Sequence, residues 1–212
     1  MKKTYYKNLE ILRKKIEKYK NFSSDNISKL IKKRKSLQKK ETMISKRCSI
    51  QSLKDWRMDK GKIYHKSNQF FSVEGVKVKN ARREVKKWDQ LIFNQPHGGL
   101  LAFVVRETKK YGIEFLLCLR SEPGDKNIKF CPSFSATKSN MNRAHGGKRT
   151  DLYEIIIKKK GAKIIAKSAQ NEEGARFWRK RNENWLVQLK DPHNKLTKKE
   201  NFVWANIWQI KR

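Results

Sequence analysis

Two apolar runs constrain the fold more tightly than anything else in the chain. GLLAFVVRE (99–107) and GIEFLLCLRS (112–121) are short, rich in Val, Leu, Ile and Phe, and separated only by Thr108-Lys109-Lys110-Tyr111. Short apolar runs bounded by turn residues read as strands, and two of them across so brief a gap read as a hairpin. From Trp56 onward the same texture recurs in GKIYH, QFFSVEGVKVK, IKFCPSFSA and NWLVQLK, and FVWANIWQI is a short amphipathic end piece. Residues 172–181 (EEGARFWRKR) predict a helix whose acids sit in the first turn, where they complement the dipole. No βαβ rhythm is visible, so the expected class is α+β with a mixed or antiparallel sheet.

The first quarter of the chain has another period. Tyr5, Leu9, Leu12, Ile16 and Tyr19 recur every three or four residues and form one apolar helical stripe. Ser23-Ser24-Asp25 offers a helix N-cap before a second run through Ile27, Leu30, Ile31 and Leu37. Residues 1–46 therefore read as a basic helical hairpin, and the expected division is a basic helical arm (1–48) and a sheet module (49–212).

Charge enters here. The net charge is +33, and residues 1–55 alone hold 18 Lys and Arg against 5 Asp and Glu. Such a balance fits a polyanionic partner, and equally a surface filled with solvated lysine. Bulk charge does not separate nucleic acid, membrane and nucleotide ligands. Cys48, Cys118 and Cys131 are far apart and form no Cys-x-x-Cys pair, which argues against a zinc site or a disulfide frame. The N-terminus lacks the apolar core of a secretion signal and no run is long enough for a membrane helix, so the expected location is the cytoplasm.

Most motifs that carry chemistry are absent: no phosphate-binding Gly-x-x-x-x-Gly-Lys, no Gly-x-Gly-x-x-Gly, no Gly-x-Ser-x-Gly, no His-Glu-x-x-His. His65, His97, His145 and His193 show no ligand spacing, so no metal is expected. Three polar loops stand out at strand ends: Asn94-Gln95-Pro96-His97-Gly98-Gly99, Glu122-Pro123-Gly124, and the stretch CPSFSATKSNMNRAHGG (131–147). Polar strand ends above apolar strand bodies can form a pocket rim, although Pro and Gly make turns anywhere. Ser135, Thr137, Ser139 and Asn140 are donors suited to phosphate or sugar oxygens, and Lys138 adds charge. Phe70-Phe71 and Phe177–Arg181 interleave aromatics with cations as nucleic-acid contacts do, but Phe177 and Trp178 at helical spacing anchor a helix equally well.

An ordered set of segments carries a resemblance. Trp56, KIYHKSNQFFSVEGVKV, REVKKWDQ, GGLLAFVV, SEPGDKNIKFCPSFSATKSNMNRAHGG, NEEGARFWRKRNENWLVQL and FVWANIWQI together resemble one copy of the NDP-hexose 2,3-dehydratase module of deoxysugar biosynthesis, over about Trp56 to Ile210. The resemblance implies a Nudix-like mixed β-sheet flanked by helices. It implies a dTDP- or other NDP-4-keto-6-deoxyhexose as substrate, loss of water across C2–C3, and no redox cofactor or metal. Members usually carry two copies of the module, so a homodimer or a second dehydratase module is the implied partner. The glutamate-rich metal box of Nudix hydrolases is missing; RREVKKW (82–88) echoes only a piece of it, which disfavours pyrophosphate hydrolysis.

By the same resemblance, Trp56 and Ser135–Asn140 fall near the nucleotide-sugar pocket. Arg83, Gln95 and Arg143 are further binding candidates. Glu122 and Tyr153 are the candidates for general acid or base, Glu122 because partial burial after an apolar strand would raise its pKa. Two alternatives stay open: a noncatalytic nucleotide-sugar-binding or partner subunit, and a basic nucleic-acid-binding protein.

Overall fold

A computed structural model describes residues 2–19, 27–80, 82 and 84–212. The expected helix cap at Ser23-Ser24-Asp25 and the candidate Arg83 lie outside the described residues. The elements, in chain order, are α1 (Lys2–Lys18), α2 (Ile27–Lys39), β1 (Trp56–Asp59), β2 (Lys62–His65), β3 (Ser72–Lys79) and β4 (Lys87–Asn94). They continue with β5 (Gly99–Thr108), β6 (Gly112–Arg120), β7 (Lys129–Pro132), β8 (Phe134–Thr137), α3 (Lys138–Met141) and α4 (Tyr153–Ile156). β9 (Ala162–Asn171), β10 (Arg181–Leu189), β11 (Phe202–Asn206) and α5 (Ile207–Ile210) complete the chain. Among the described residues no helix is long and apolar enough to cross a membrane.

The strands form two sheets. β1 to β4 are an antiparallel meander. The other sheet runs β11-β6-β5-β10-β9, with β7 on β6 and β8 on β5, and is mixed because β10 runs parallel to β5. The α+β class with a mixed sheet is as expected, and so is the β5–β6 hairpin, which pairs Thr108 with Gly112.

Beyond the β5–β6 turn the two strands part. They pair directly only over Val105–Thr108 and Gly112–Phe115. β7 then pairs with the C-terminal half of β6, and β8 with the N-terminal half of β5. Ser133, between β7 and β8, stitches the split: its Oγ accepts from the Val104 N–H at 2.8 Å and donates to the Leu116 carbonyl at 2.6 Å. The side chain is buried, so both backbone groups would otherwise lack a partner.

Both faces of this sheet are covered, which is why β6 reads as one continuous apolar run. One face packs Leu100, Ala102, Val104, Leu116, Cys118 and Phe134 against Ile155 and Ile156 of α4. The opposite face receives α1 and α2. Leu12 of α1 joins Val105, Ile113, Phe115 and Ile165, and Leu30 of α2 joins Leu117 and Ala205. Polar ties reinforce the contact: Asn8 Nδ2 donates to the Ile165 carbonyl at 3.0 Å, and Lys15 meets Glu107 at 2.5 Å. A Cβ at Gly112 would collide with the Tyr19 ring, so the glycine at that turn also admits α1's last turn.

Candidate active site

The hydroxyl-rich stretch turns out to be a strand end that caps a helix. Thr137 closes β8 in extended conformation and starts α3, its Oγ1 accepting from the Asn140 N–H at 3.3 Å. The Thr137 and Ser139 hydroxyls share a hydrogen bond at 2.8 Å. Thr137, Ser139 and Asn140 are thus brought together, with Lys138 exposed beside them. Arg143 is exposed two residues past α3 and donates from Nε to the Gly147 carbonyl at 3.0 Å.

Ser135 shares a face of β8 with Thr137, two residues before it. Its carbonyl accepts from Arg120 Nη1 at 3.5 Å, and Arg120 Nη2 pairs with Glu122 at 2.7 Å. Arg120 therefore gathers Ser135 and Glu122 at the end of β6, with its Nε buried and without a hydrogen-bond partner among the described residues. Glu122 itself is exposed, so the burial expected for it is corrected: the Glu122–Asp125 turn projects from the sheet instead of folding under it. The neighbouring Ser121 hydroxyl donates to Glu41, which holds the Glu41 carboxyl below its usual value. Tyr153 opens α4, half-buried, with the Arg149 guanidinium 4.4 Å from its ring centre.

Trp56 belongs to an aromatic run across the small sheet. Its ring lies 4.9 Å from Phe71, Phe71 lies 5.2 Å from Phe93, and Phe93 lies 5.6 Å from Phe177. Gln95 is half-buried on the short link between β4 and β5, hence between the two sheets.

The helix expected over 172–181 is not formed. These residues are the tip of the β9–β10 hairpin. A single turn, with Phe177 N–H on the Glu173 carbonyl, gives way to a bridge from Phe177 to Phe93 on β4. The free edge of β4 offers backbone groups that an isolated helix cannot match. Phe93 N–H donates to the Arg176 carbonyl at 2.7 Å, and Trp178 N–H donates to the Phe93 carbonyl at 2.8 Å.

That bridge roofs a cleft of about 830 Å³ between the hairpin tip and β3–β4. β4 alternates, and Trp88, Gln90 and Ile92 form one face of it, lining the cleft. Gln90 accepts from the Trp88 indole N–H at 2.8 Å and donates to the Ala175 carbonyl at 2.6 Å, so it braces floor against roof. Trp178, Arg179, Lys180 and Arg181 line the other side. Their motif, FWRKR, is visible in the sequence; its placement depends on the β4 edge.

One polar chain joins the cleft to the β8–α3 corner. Gly99 pairs with Thr137 across the sheet. Its N–H donates to Asn182 Oδ1 at 2.8 Å, and Asn182 Nδ2 donates to Glu172, which lies 3.5 Å from Lys180. A Cβ at Gly98 would land on the Arg181 carbonyl oxygen, so that approach requires glycine. Asn182, Arg120 and Gln90 are site residues that sequence reasoning does not single out. Among the described residues no group of three or more His, Cys, Asp or Glu gathers in a way that holds a metal ion.

The model of the NDP-hexose 2,3-dehydratase family matches residues 25–212. A dTDP-4-dehydro-6-deoxy-alpha-D-glucopyranose 2,3-dehydratase from Amycolatopsis orientalis is 30% identical over 156 residues, covering 71% of this chain and 32% of that protein. The protein of the same name from Saccharopolyspora spinosa is 28% identical over 167 residues, covering 77% and 34%. The chain thus spans about a third of the length of these relatives. Among solved structures, a C. elegans Ap4A hydrolase matches with a TM-score of 0.36 and 18% identity, over 53% of this chain and 81% of that one; a likeness at that level carries no conclusion. The family model thus matches most of the chain, and the chain belongs to the NDP-hexose 2,3-dehydratase family.

Proposed function

We propose that the chain is a dehydratase module that removes water across C2–C3 of an NDP-4-keto-6-deoxyhexose, a dTDP sugar by analogy with the names of its relatives. The observation that carries the reading is the polar chain Thr137–Gly99–Asn182–Glu172–Lys180. It joins a hydroxyl and amide corner, suited to a sugar, to an aromatic and cationic cleft, suited to a nucleotide.

The chemistry needs no electron carrier. The C4 ketone acidifies the C3 hydrogen, and a base removes it to give an enolate. The C2 hydroxyl leaves as water with a proton from an acid. The resulting C2=C3 enol takes a proton at C2 and becomes the 3,4-diketo-2,6-dideoxy sugar. Glu122 and Tyr153 are the acid–base candidates of this reading. Arg120, Thr137, Ser139 and Asn140 supply donors for the developing oxyanion and the sugar oxygens. Binding the diphosphate contributes the positioning energy.

A chain one third the length of its relatives also fits a site completed by a second copy of itself or by another dehydratase module. The test is direct. Incubate the purified chain with dTDP-4-keto-6-deoxyglucose and a 3-ketoreductase that traps the product, and follow the loss of one water by mass spectrometry. Turnover supports the dehydratase. Tight substrate binding without turnover favours the noncatalytic binding subunit.

A further inference from the structure

We infer that the end of α2 sets the place of the turn that carries Glu122, so that Gln38 and Glu41 are positioning residues of the reaction and act through Glu122. The inference rests on the dehydratase reading, with Glu122 in its acid–base role.

The loop between β6 and β7 covers residues 121–128. An exposed hairpin loop of that length is ordinarily mobile. Here a segment from outside the hairpin grips both of its ends. At one end the Ser121 hydroxyl donates to Glu41 Oε2. At the other the Ile128 N–H donates to Gln38 Oε1 at 2.7 Å. Ile128 is buried, and its N–H has no easy substitute for that acceptor. Glu122 directly follows the first tie, and its carbonyl accepts from the Asp125 N–H at 2.9 Å. A shift of either end therefore carries Glu122 with it.

The gripping segment is itself fixed. Leu30 seats α2 on Leu117 of β6 and Ala205 of β11, and Gln38 follows about two turns later on the same helix. Lys40 pairs at 2.5 Å with Glu200, just before β11. Glu41 is exposed, yet both its oxygens are engaged. Oε1 accepts from the Thr42 and Met43 N–H groups at 2.9 and 2.8 Å, which leaves Oε2 aimed at Ser121. A side chain bonded to its own following backbone is held in one orientation. Between the two segments lies a polar gap of about 360 Å³, lined by Gln38, Glu41, Ser121, Asp125 and Lys126. Hydrogen bonds across that gap, more than packed side chains, set the loop. Removing them frees the loop without opening the core, and a displacement of about 1 Å at a catalytic group costs about a hundredfold in rate.

Amide exchange read by mass spectrometry, together with steady-state dehydratase kinetics, tests the assignment on the full chain. Glu41→Ala and Gln38→Ala raise exchange over 121–128 by about tenfold or more, while β5 and β10 exchange as in wild type. Both lower kcat about tenfold to a hundredfold and leave KM for dTDP-4-keto-6-deoxyglucose near its wild-type value. Glu41→Gln keeps an acceptor for Ser121 and restores most of kcat. In a Glu122→Gln background, Glu41→Ala costs no further kcat, because it acts through the group already removed. Glu41 is exposed, so its variant folds and carries the test if Gln38→Ala does not. Wild-type exchange over 121–128 in Glu41→Ala overturns the inference. So does wild-type kcat with a freed loop, or a loss that multiplies with that of Glu122→Gln, and each of these leaves the dehydratase reading standing. Absence of turnover by wild type overturns both.

Discussion

Glu122 sits in a contradictory position for a base. It is exposed and held at 2.7 Å by Arg120, so its carboxylate meets a substrate only when that cation exchanges it for another anion. A substrate oxygen arriving at Arg120 would supply that exchange and free Glu122 at the moment of reaction. Replacing Glu122 by Gln keeps a hydrogen-bonding group beside Arg120 and removes the basicity. The expected result is a fall in kcat of about a hundredfold or more, with the melting temperature unchanged because an exposed ion pair contributes little to stability. Tyr153→Phe should lower kcat in the same way if Tyr153 is the acid. Wild-type turnover by Glu122→Gln would remove Glu122 from the mechanism. At this scale the sequence was informative where the chemistry is local. Ser135 and Thr137 lie on β8, Ser139 and Asn140 on α3, and three of the four meet at one helix cap. Arg120 and Asn182 were silent because one partner of each lies far along the chain, Ser135 for Arg120 and Gly99 for Asn182.

Among the elements, the strands and the two N-terminal helices were legible because apolar period is a local property. What the helices touch was not. The Leu9–Leu12–Ile16 stripe and Leu30 predict amphipathic helices with one face to hide, and nothing in that pattern says whether a sheet or another helix hides it. In the structure Leu12 and Leu30 are buried against β5, β6, β9 and β11. The same limit explains residues 172–181. Their composition favours a helix, but the free edge of β4 pairs with Phe177 and pulls the segment into extended backbone. A solvated arm and a packed cover predict different stabilities. Leu30 is only 7% exposed, so Leu30→Ala should cost about 2–3 kcal/mol in urea unfolding, from lost burial and the cavity left under α2. A loss below about 0.5 kcal/mol, the usual size for a surface substitution, would mean that α2 does not pack on the sheet in solution.

Over the whole molecule two considerations pull against each other. The proposed completion of the site by a second module calls for association, and a charge of +33 on each copy opposes it. Salt decides between them. Repulsion between like-charged surfaces is screened over roughly 8–10 Å at moderate ionic strength, so association of two copies through apolar contacts strengthens as salt rises. Binding to a polyanion does the opposite, because salt competes with the phosphates for the cations. The exposed side chains available for self-association include Met58 and Leu91 on the small sheet, 67% and 70% exposed. Light scattering across a salt series should therefore show mass moving from 25.2 kDa toward about twice that value as ionic strength increases, with dehydratase activity rising in parallel. Leu91→Lys should keep the chain monomeric if that face is the contact. A mass fixed at one copy under all salt conditions, with full activity, would show that a single module completes the reaction. A mass fixed at one copy with no activity would direct the search to a different partner chain.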